Sequence, residues 1–261
     1  MNRVFYIVLV IVISFIATAQ VSAQGYAIVT GASRGIGKTI AIELLDKGYN
    51  LILIARSIHE LENIKNELKA DPLQNVQIYA LDVTKASDTE MLANEIKQQN
   101  LDIRVLINNV GIAVPGTSQL STDELRSLVN TNLMGAHNMV HNILPFMKRS
   151  GAGYIINIGS FAGNKAIRGW GGYSASKYAL RGYSDSLYKE LAAYGIKVSC
   201  ISPSLTATES ANKYSMPGYS EKDKVQTSDI AKTVSYLLSL GDNALIRDVE
   251  LANTKLLAEG Y

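Results

Sequence analysis

The sequence contains only one cysteine and three histidines. Its one cysteine, Cys200, cannot form an internal disulfide, and its position in the apolar run KVSCIS indicates a buried structural thiol. Of the three histidines, His137 and His141 have the i,i+4 spacing at which two helical side chains can hold one metal ion. Because no cysteine or carboxylate motif accompanies them, we predict ordinary helix-face histidines and no metal site.

An excess of charge of one sign is also missing. The formal net charge is +2, and no block of lysines and arginines is interleaved with aromatic residues. Nucleic acid is therefore not an expected partner, because binding to a phosphate backbone requires a concentrated positive patch. With 261 residues, the chain is long enough for one sizeable α/β domain and short for two.

Charges are absent from one long stretch, residues 4–19, which reads VFYIVLVIVISFIATA. As a helix this stretch would cover roughly 24 Å, less than the ~30 Å core of a bilayer, which favours a signal peptide. An uncleaved membrane anchor is the alternative. We therefore predict a signal peptide or anchor over residues 1–23 and a folded domain over residues 24–261. The protein would be membrane-associated or exported, and an anchored domain could face the cytoplasm.

After residue 24, short β-branched runs alternate with longer amphipathic segments. Strands are predicted over 26–30, 51–55, 76–80, 103–108, 154–159, 197–202 and 246–251. Helices are predicted over 36–47, 58–70, 87–99, 121–149, 173–194 and 228–239. This alternation predicts a single-domain α/β protein in which a parallel sheet carries helices on both faces. Ligands are expected beyond the carboxyl ends of the strands.

The first motif is TGASRGIG, residues 30–37, which follows the first predicted strand and opens the first helix. Gly31 would allow the tight turn. Gly35 and Gly37 would let the backbone approach a pyrophosphate whose charge lies at the helix N-terminus. The spacing is Gly-x-x-x-Gly-x-Gly instead of the common Gly-x-Gly-x-x-Gly, so the motif alone is a weak indication of a nucleotide site.

The end of the second predicted strand, LILIARS, has Arg56 where a dinucleotide-binding fold commonly places a carboxylate for the ribose 2′-hydroxyl. An arginine there, together with Arg34 of the glycine motif, could clamp a 2′-phosphate. NADP(H) is therefore favoured over NAD(H) as the cofactor. The alternative is that both arginines are solvated loop residues.

Two further motifs follow the third and fourth predicted strands. In LDVT, Asp82 could accept a hydrogen bond from the adenine amino group, with the Val83 backbone completing the contact. In NNVG, Asn109 to Gly111 would form a small-residue floor beneath the cofactor. Both motifs also have a structural explanation, because Asp-Val-Thr can cap a helix and Asn-Asn can form a turn.

The motif YSASK, residues 173–177, places a tyrosine and a lysine four residues apart in a predicted helix. That spacing puts Tyr173 and Lys177 on one face, about 5–6 Å apart at their β-carbons. An unperturbed tyrosine titrates at about 10, so acid/base work at neutral pH requires a lower pKa, and we expect the charge of Lys177 to contribute to this. Without the other motifs, a helix-surface tyrosine and a solvated lysine would be the better interpretation.

In order and separation, TGASRGIG, NNVG, VNTNLMG, IINIGS and YSASK resemble the motifs of the short-chain dehydrogenase/reductase family, over essentially the whole chain from residue 25. The resemblance implies a single-domain, doubly wound Rossmann fold, in which a seven-stranded parallel sheet carries helices on both faces. It also implies NAD(P)-dependent oxidoreductase activity. It also implies a homodimer or homotetramer, formed through the two long helices after strands four and five.

The same resemblance implies a catalytic set that consists of Asn132, Ser160, Tyr173 and Lys177. Tyr173 would be the acid/base, and Lys177 its partner, which would also hold the nicotinamide ribose. Ser160 would orient the substrate carbonyl. Asn132 would hold the water that connects the other residues to bulk solvent.

The loop after the sixth predicted strand, PSLTAT, adds to the cofactor site. In similar proteins a Pro-Gly pair is followed by a threonine that contacts the nicotinamide carboxamide, and Thr208 occupies that place. Ser204 replaces the glycine, which is a departure from the family's pattern. The residues predicted to bind the cofactor are Gly31, Ser33, Arg34, Gly35, Ile36, Gly37, Arg56, Asp82, Val83, Asn109, Gly111, Tyr173, Lys177, Pro203, Thr206 and Thr208.

We therefore predict an NADP(H)-dependent oxidoreductase that transfers a hydride between the nicotinamide and a small-molecule carbonyl or secondary alcohol. Candidates for closing over an apolar substrate are Phe161, Ile167, Trp170, Tyr214, Met216 and Tyr219. Two alternatives stay open: an NADP-binding scaffold or sensor without turnover, and a membrane-tethered reductase of lipid-like 3-oxoacyl or sterol substrates, anchored through residues 4–19.

Overall fold

The fold is that of a computed structural model, which describes residues 24–214 and 218–258. The strands are β1 (Tyr26–Thr30), β2 (Asn50–Ala55), β3 (Val76–Ala80), β4 (Ile103–Asn108), β5 (Gly153–Ile158), β6 (Ile196–Pro203) and β7 (Asp248–Leu251). The helices are α1 (Gly35–Asp46), α2 (Ile58–Glu67), α3 (Ala86–Gln98), α4 (Thr122–Val129), α5 (Gly135–Ser150), α6 (Gly171–Leu191), α7 (Glu209–Asn212), α8 (Thr227–Ser239) and α9 (Thr254–Ala258).

The seven strands form one parallel sheet in the order β3-β2-β1-β4-β5-β6-β7. The chain winds outward from β1 in one direction and then returns to continue from β4 in the other. Between these two strands, the connections leave a crevice at the carboxyl edge of the sheet, where such folds bind ligands. The predicted seven-stranded parallel sheet is confirmed.

Side chains of the central strands alternate between two apolar layers. On β1, Ala27 and Val29 join the layer formed with α1, α2 and α8, whereas Ile28 joins the layer formed with α3, α5 and α6. All three side chains are fully buried. Because successive side chains of a strand point to opposite faces, each central strand contributes to both cores. The sheet is thus covered by helices on both faces, as predicted.

The single helix predicted over 121–149 is interrupted. Helix α4 begins at a capping box in which Ser121 and Glu124 bond reciprocally, and α5 follows only after a π-helical turn, Asn130–Met134. Asparagine and threonine are weak helix formers, and π-turns inside helices are often found at functional sites. The turn therefore marks this point of the chain for closer inspection.

The predicted localisation, membrane-associated or exported, is wrong for the part of the chain that the structure describes. Among residues 24–214 and 218–258, no helix combines the length and the apolarity that crossing a bilayer requires. The proposed signal or anchor, residues 1–23, lies outside the described residues. The boundary between residues 1–23 and 24–261 stays a prediction.

The close approach of α1 to the end of β1 depends on Gly37. A β-carbon there would overlap the Gly31 carbonyl oxygen and lie 2.7 Å from Asn109 Nδ2. We expect Gly37→Ala to push α1 away from β1 and to lower the free energy of unfolding by about 1–3 kcal/mol, measured by urea denaturation.

The matched control is Gly182→Ala. Gly182 is an exposed glycine inside α6, and a β-carbon there would meet nothing in the described structure within 4 Å. Since alanine is the better helix former, this variant should gain about 0.5–1 kcal/mol of stability. Equal effects of the two substitutions would contradict the steric explanation.

Candidate active site

The glycine motif forms the turn between β1 and α1. Gly31 and Gly35 have positive φ angles of 64° and 53°, which glycine adopts easily and other residues rarely adopt. Asn109 Nδ2 donates hydrogen bonds to the carbonyl oxygens of Thr30, at 3.0 Å, and Gly31, at 3.3 Å. Asn109, predicted as part of a floor beneath the cofactor, therefore uses its amide group to fix the glycine turn from the neighbouring strand.

The N-terminus of α1 is suited to an anion. Its N-cap residue, Arg34, makes no side-chain capping bond within the described residues, in contrast to Ser57, whose hydroxyl caps α2. Uncapped N–H groups at the start of a helix carry partial positive charge. Ser33 and Ile36 are half-buried in the same turn. This glycine turn fits the pyrophosphate of a dinucleotide cofactor.

The two arginines predicted to select a 2′-phosphate are exposed. Arg34 Nη1 lies 3.8 Å from Glu60 Oε1, and about half of each side chain is accessible, at 53% and 48%. Arg56 follows β2, and its charge acts on Asp82. Weak surface pairing of this kind leaves both guanidinium groups available to a stronger anion.

Asp82 follows β3 and closes a local turn. Its Oδ1 atom accepts hydrogen bonds from the Thr84 N–H, at 3.0 Å, and the Thr84 hydroxyl, at 2.8 Å. Burial pushes the pKa of Asp82 upward, but the Thr84 hydrogen bonds and the charges of Arg56 and Lys85 outweigh it, and the pKa falls below its ordinary value. The turn is the structural explanation of this motif. The neighbouring Val83 is buried.

Asn132 lies buried in the π-helical turn between α4 and α5. Its Oδ1 atom accepts from the Ile112 N–H at 2.8 Å, and its Nδ2 atom donates to the Ile112 carbonyl at 2.9 Å and to Ser176 Oγ at 2.8 Å. Both amide protons are used. Asn132 therefore joins the loop after β4 to helix α6, and its side chain has no proton left to donate to the water that sequence analysis assigned to it.

The Ser160 hydroxyl lies close enough to the Tyr173 phenol to act on its ionisation, and it also accepts a hydrogen bond from the Ala162 N–H at 3.1 Å. Ser160 follows β5, and Tyr173 lies in the first turn of α6. Burial raises the pKa of Tyr173 above its ordinary value, and the nearby Ser160 hydroxyl opposes this increase. The expected lowering of the Tyr173 pKa by Lys177 is therefore wrong, because the desolvation of the phenolate dominates.

Lys177 is buried one helical turn after Tyr173. Its Nζ atom donates to the Ile158 carbonyl oxygen at 2.9 Å, and burial lowers the pKa of Lys177 to about 8. A β-carbon on Gly111 would lie 3.3 Å from Lys177 Nζ and 3.3 Å from Asn132 Oδ1. Gly111 thus leaves space beside the ammonium group, and the structure brings the predicted lysine and asparagine together around it.

The loop after β6 reaches the glycine turn through Thr208. A β-carbon on Gly35 would lie 3.5 Å from Thr208 Cγ2, and the Thr208 hydroxyl caps α7. Pro203 is buried at the end of β6, and the buried Thr206 donates its hydroxyl proton to the Ser204 carbonyl at 2.9 Å. Ser204 Oγ is buried without a hydrogen-bond partner among the described residues. A polar group of a ligand would satisfy it.

Two of the residues predicted to close over a substrate lie near Tyr173. The Trp170 ring is 6.2 Å from the Tyr173 ring and 4.9 Å from the Tyr214 ring, between centroids, and both contacts are edge-to-face. Tyr219 instead lies under the Lys255 ammonium, 4.8 Å from its ring centroid. Met216 lies outside the described residues.

The two histidines with i,i+4 spacing pack against each other on α5. The His137 and His141 rings lie on α5 with centroids 5.9 Å apart, and His137 Nδ1 is 3.1 Å from Tyr183 Oη. Within the described ranges, no three histidine, cysteine or carboxylate side chains are grouped so that they could hold a metal ion.

Ser176 was not among the site residues predicted from the sequence. This residue is fully buried, donates to the Tyr173 carbonyl at 2.7 Å and accepts from Asn132. It therefore fixes Asn132 to the helix that carries Tyr173 and Lys177. A small polar residue directly before a functional lysine, on the buried side of an amphipathic helix, was the available signal.

The comparisons with known proteins agree with this geometry. A family model described as short chain dehydrogenase matches residues 25–217, so the chain belongs to the short-chain dehydrogenase/reductase family of oxidoreductases. The chain is 32% identical over 222 residues to a 3-oxoacyl-[acyl-carrier-protein] reductase of Staphylococcus epidermidis, which covers 82% of this chain and 91% of that protein.

Solved structures give the same result. A β-ketoacyl-[ACP] reductase from Bacteroides thetaiotaomicron superposes with a TM-score of 0.78 at 30% identity, over 90% of this chain and 99% of that one. An alcohol dehydrogenase from Thermococcus sibiricus, in complex with 5-hydroxy-NADP, has a TM-score of 0.79 at 29% identity, over 88% and 96%.

The effect of the buried Lys177 charge on the stability of the fold can be tested by substitution. Its folded-state pKa of about 8 is lower than the 10.5 of an ordinary lysine, so the unfolded chain binds the proton more tightly and the fold is destabilised below pH 8. This loss should disappear as the pH rises from 8 towards 10.5. We expect Lys177→Met to be more stable than the wild type at pH 7 by about 1–3 kcal/mol, with a smaller difference at alkaline pH, measured by urea denaturation.

Lys189→Met is the matched control, because Lys189 is an exposed lysine on the same helix. Its stability should stay within about 0.5 kcal/mol of the wild type at every pH. A Lys177→Met protein that is less stable than the wild type at pH 7 would show that the ammonium group contributes to folding.

Proposed function

We propose that the protein is an NADP(H)-dependent oxidoreductase that interconverts a carbonyl compound and a secondary alcohol. The observation that carries the proposal is the position of Tyr173 beside Ser160, at the edge of the sheet that also holds the glycine turn and one helical turn before the buried Lys177. Relatives named as a 3-oxoacyl reductase and an alcohol dehydrogenase support this reaction class.

Ser160 and Tyr173 would bind the oxygen of the substrate together. Two hydroxyl donors on one carbonyl oxygen polarise it and stabilise the negative charge that develops there. Tyr173 would deliver its proton to this oxygen during reduction and take it back during oxidation. Its raised pKa keeps the phenol protonated at neutral pH, which is the form that reduction requires. The nicotinamide, when bound, supplies or accepts the hydride.

Lys177 would support both the cofactor and the tyrosine. One proton of its ammonium group is donated to the Ile158 carbonyl, and the others can reach ribose hydroxyls beside Gly111. At neutral pH a lysine with a pKa of about 8 is mostly charged, so it favours the phenolate that Tyr173 forms when it gives up its proton. Asn132 would position this group through Ile112 and Ser176.

Arg34 and Arg56 would select NADP(H) over NAD(H). Both are exposed beside the loops that follow β1 and β2, where the adenosine ribose of a dinucleotide lies in this fold. Each guanidinium group can give a phosphate charge-assisted hydrogen bonds that a ribose hydroxyl cannot use equally well. The NADP analogue in the Thermococcus sibiricus enzyme supports this choice.

The reaction is tested by Tyr173→Phe. This change removes the proton donor and keeps the ring, so we expect kcat for NADPH-dependent reduction of a ketone to fall about 100-fold or more, with unchanged NADPH affinity. Tyr178→Phe on the same helix should keep wild-type kcat. Full activity of Tyr173→Phe would refute the mechanism. Tight NADPH binding by the wild type, without reduction of any ketone in a broad panel, would favour a scaffold or sensor instead.

The cofactor preference is tested by Arg56→Ala and Arg34→Ala. Each change removes hydrogen bonds to a charged group, so the Kd for NADPH should rise about tenfold while the Kd for NADH stays the same. Both constants can be measured by nucleotide fluorescence at low ionic strength. Arg126→Ala, at an exposed arginine of α4, is the control. Equal losses for NADPH and NADH would contradict a role in reading the 2′-phosphate.

A further inference from the structure

The segment from Thr208 to Tyr214 runs from the glycine turn after β1 to the loop after β4, across the crevice at the carboxyl edge of the sheet. At its start, Thr208 lies against Gly35 of the glycine turn. At its end, Tyr214 Oη donates to the Ala113 carbonyl oxygen at 2.6 Å, in the loop that follows β4. We call residues 208–214 the crossing segment. It joins the cofactor side of the crevice to the side that carries Tyr173.

Tyr214 also packs on the residue that precedes α6. The edge-to-face contact between Tyr214 and Trp170 has a centroid distance of 4.9 Å and an interplanar angle of 84°, and Trp170 makes the same kind of contact with Tyr173. Such aromatic pairs are favourable beyond the apolar area that they bury. The rings of Tyr214 and Trp170, both half-buried, therefore form an aromatic wall beside the proton donor.

The two loops beside this aromatic wall, the one after β4 and the one before α6, are hydrogen-bonded to each other. The Gly116 N–H donates to the Gly169 carbonyl at 2.6 Å, and the Gly171 N–H donates to Thr117 Oγ1 at 2.9 Å. Ile112, next to Ala113, is held by Asn132 through both of its backbone groups. The hydroxyl of Tyr214 thus attaches the crossing segment to a support that is already fixed to the proposed catalytic residues.

We propose that Tyr214 is a specificity-determining residue, which together with Trp170 selects carbonyl compounds that carry a flat apolar group, such as an aromatic ring, next to the carbonyl. The inference rests on the proposed function. The Tyr214 ring supplies the apolar surface, and the bond from its hydroxyl to Ala113 holds that surface in place. The one polar group of the Tyr214 side chain, its hydroxyl, is bonded to the Ala113 carbonyl.

Two substitutions distinguish the role of the Tyr214 ring from the role of its hydroxyl group. Tyr214→Ala removes the ring, so the ratio of kcat/KM for acetophenone to that for acetone should fall about tenfold, with NADPH affinity changed little. Tyr214→Phe keeps the ring and removes the bond, so the ratio should fall less than in Tyr214→Ala. Tyr178→Phe is the matched control, because Tyr178 Oη also donates to a backbone carbonyl, that of Asn164, at 2.6 Å. Its ratio should equal that of the wild type.

Limited trypsin digestion of the intact protein tests the bond without turnover. Lys213, which precedes Tyr214, is exposed. Cleavage after Lys213 should be several-fold faster in Tyr214→Phe and Tyr214→Ala, and unchanged in Tyr178→Phe. Wild-type cleavage rates in Tyr214→Phe would overturn the role of the hydroxyl, and an unchanged acetophenone preference in Tyr214→Ala would overturn the role of the ring. If the wild type reduces other ketones of a broad panel but not acetophenone, the specificity proposal is overturned and the proposed function stands. If it binds NADPH but reduces no ketone of the panel, the proposed function fails, and the digestion still decides the attachment.

Discussion

The burial of one ammonium group, that of Lys177, is the constraint on which the site depends. A charge removed from water destabilises a fold unless it is hydrogen-bonded, and here the Ile158 carbonyl at the end of β5 accepts one of its protons. The turn after β5 also packs closely on the backbone of α6, since a β-carbon on Gly163 would lie 2.8 Å from the Lys177 carbonyl oxygen. The turn after β5 and helix α6 are therefore held together at the point where the proposed chemistry needs a cation. The buried charge lowers the stability of the fold, and the proposed chemistry would depend on that same charge.

The interruption of the helix between α4 and α5 serves the same arrangement. The π-helical turn contains Asn132, whose buried amide contacts Ile112 in one loop and Ser176 on α6. Each of these bonds joins residues at least 20 positions apart in the sequence. Asn132 therefore fixes the loop after β4 and helix α6 to each other, after the sheet has brought them close together. Because both of its amide protons are used, Asn132 acts through the position of its neighbours. A water near Lys177 could still donate a hydrogen bond to Asn132 Oδ1, which accepts one bond from the Ile112 N–H and has a second lone pair.

The architecture could be predicted from the sequence because parallel sheets impose a simple pattern. Buried strands such as β2 appear as uninterrupted apolar runs, and the carboxyl ends of the strands collect their motifs at one edge. Properties that depend on burial could not be predicted. The spacing of Tyr173 and Lys177 indicated their shared face, but the direction of the Tyr173 pKa shift depends on desolvation, which only packing determines. The contact between Tyr214 and Ala113 joins residues 101 positions apart, and no periodic pattern indicates it.

A phenol with a raised pKa has a consequence for the direction of the proposed reaction. Reduction consumes a proton, and a protonated Tyr173 holds one ready across the neutral range. Oxidation of an alcohol would require the phenolate, which the burial of Tyr173 disfavours. Lys177 works against this bias while it is charged, but its own pKa of about 8 means that it loses its charge as the pH rises towards the range in which the phenolate forms. At neutral pH the protonated phenol and the charged lysine would both be in the form that the proposed carbonyl reduction uses.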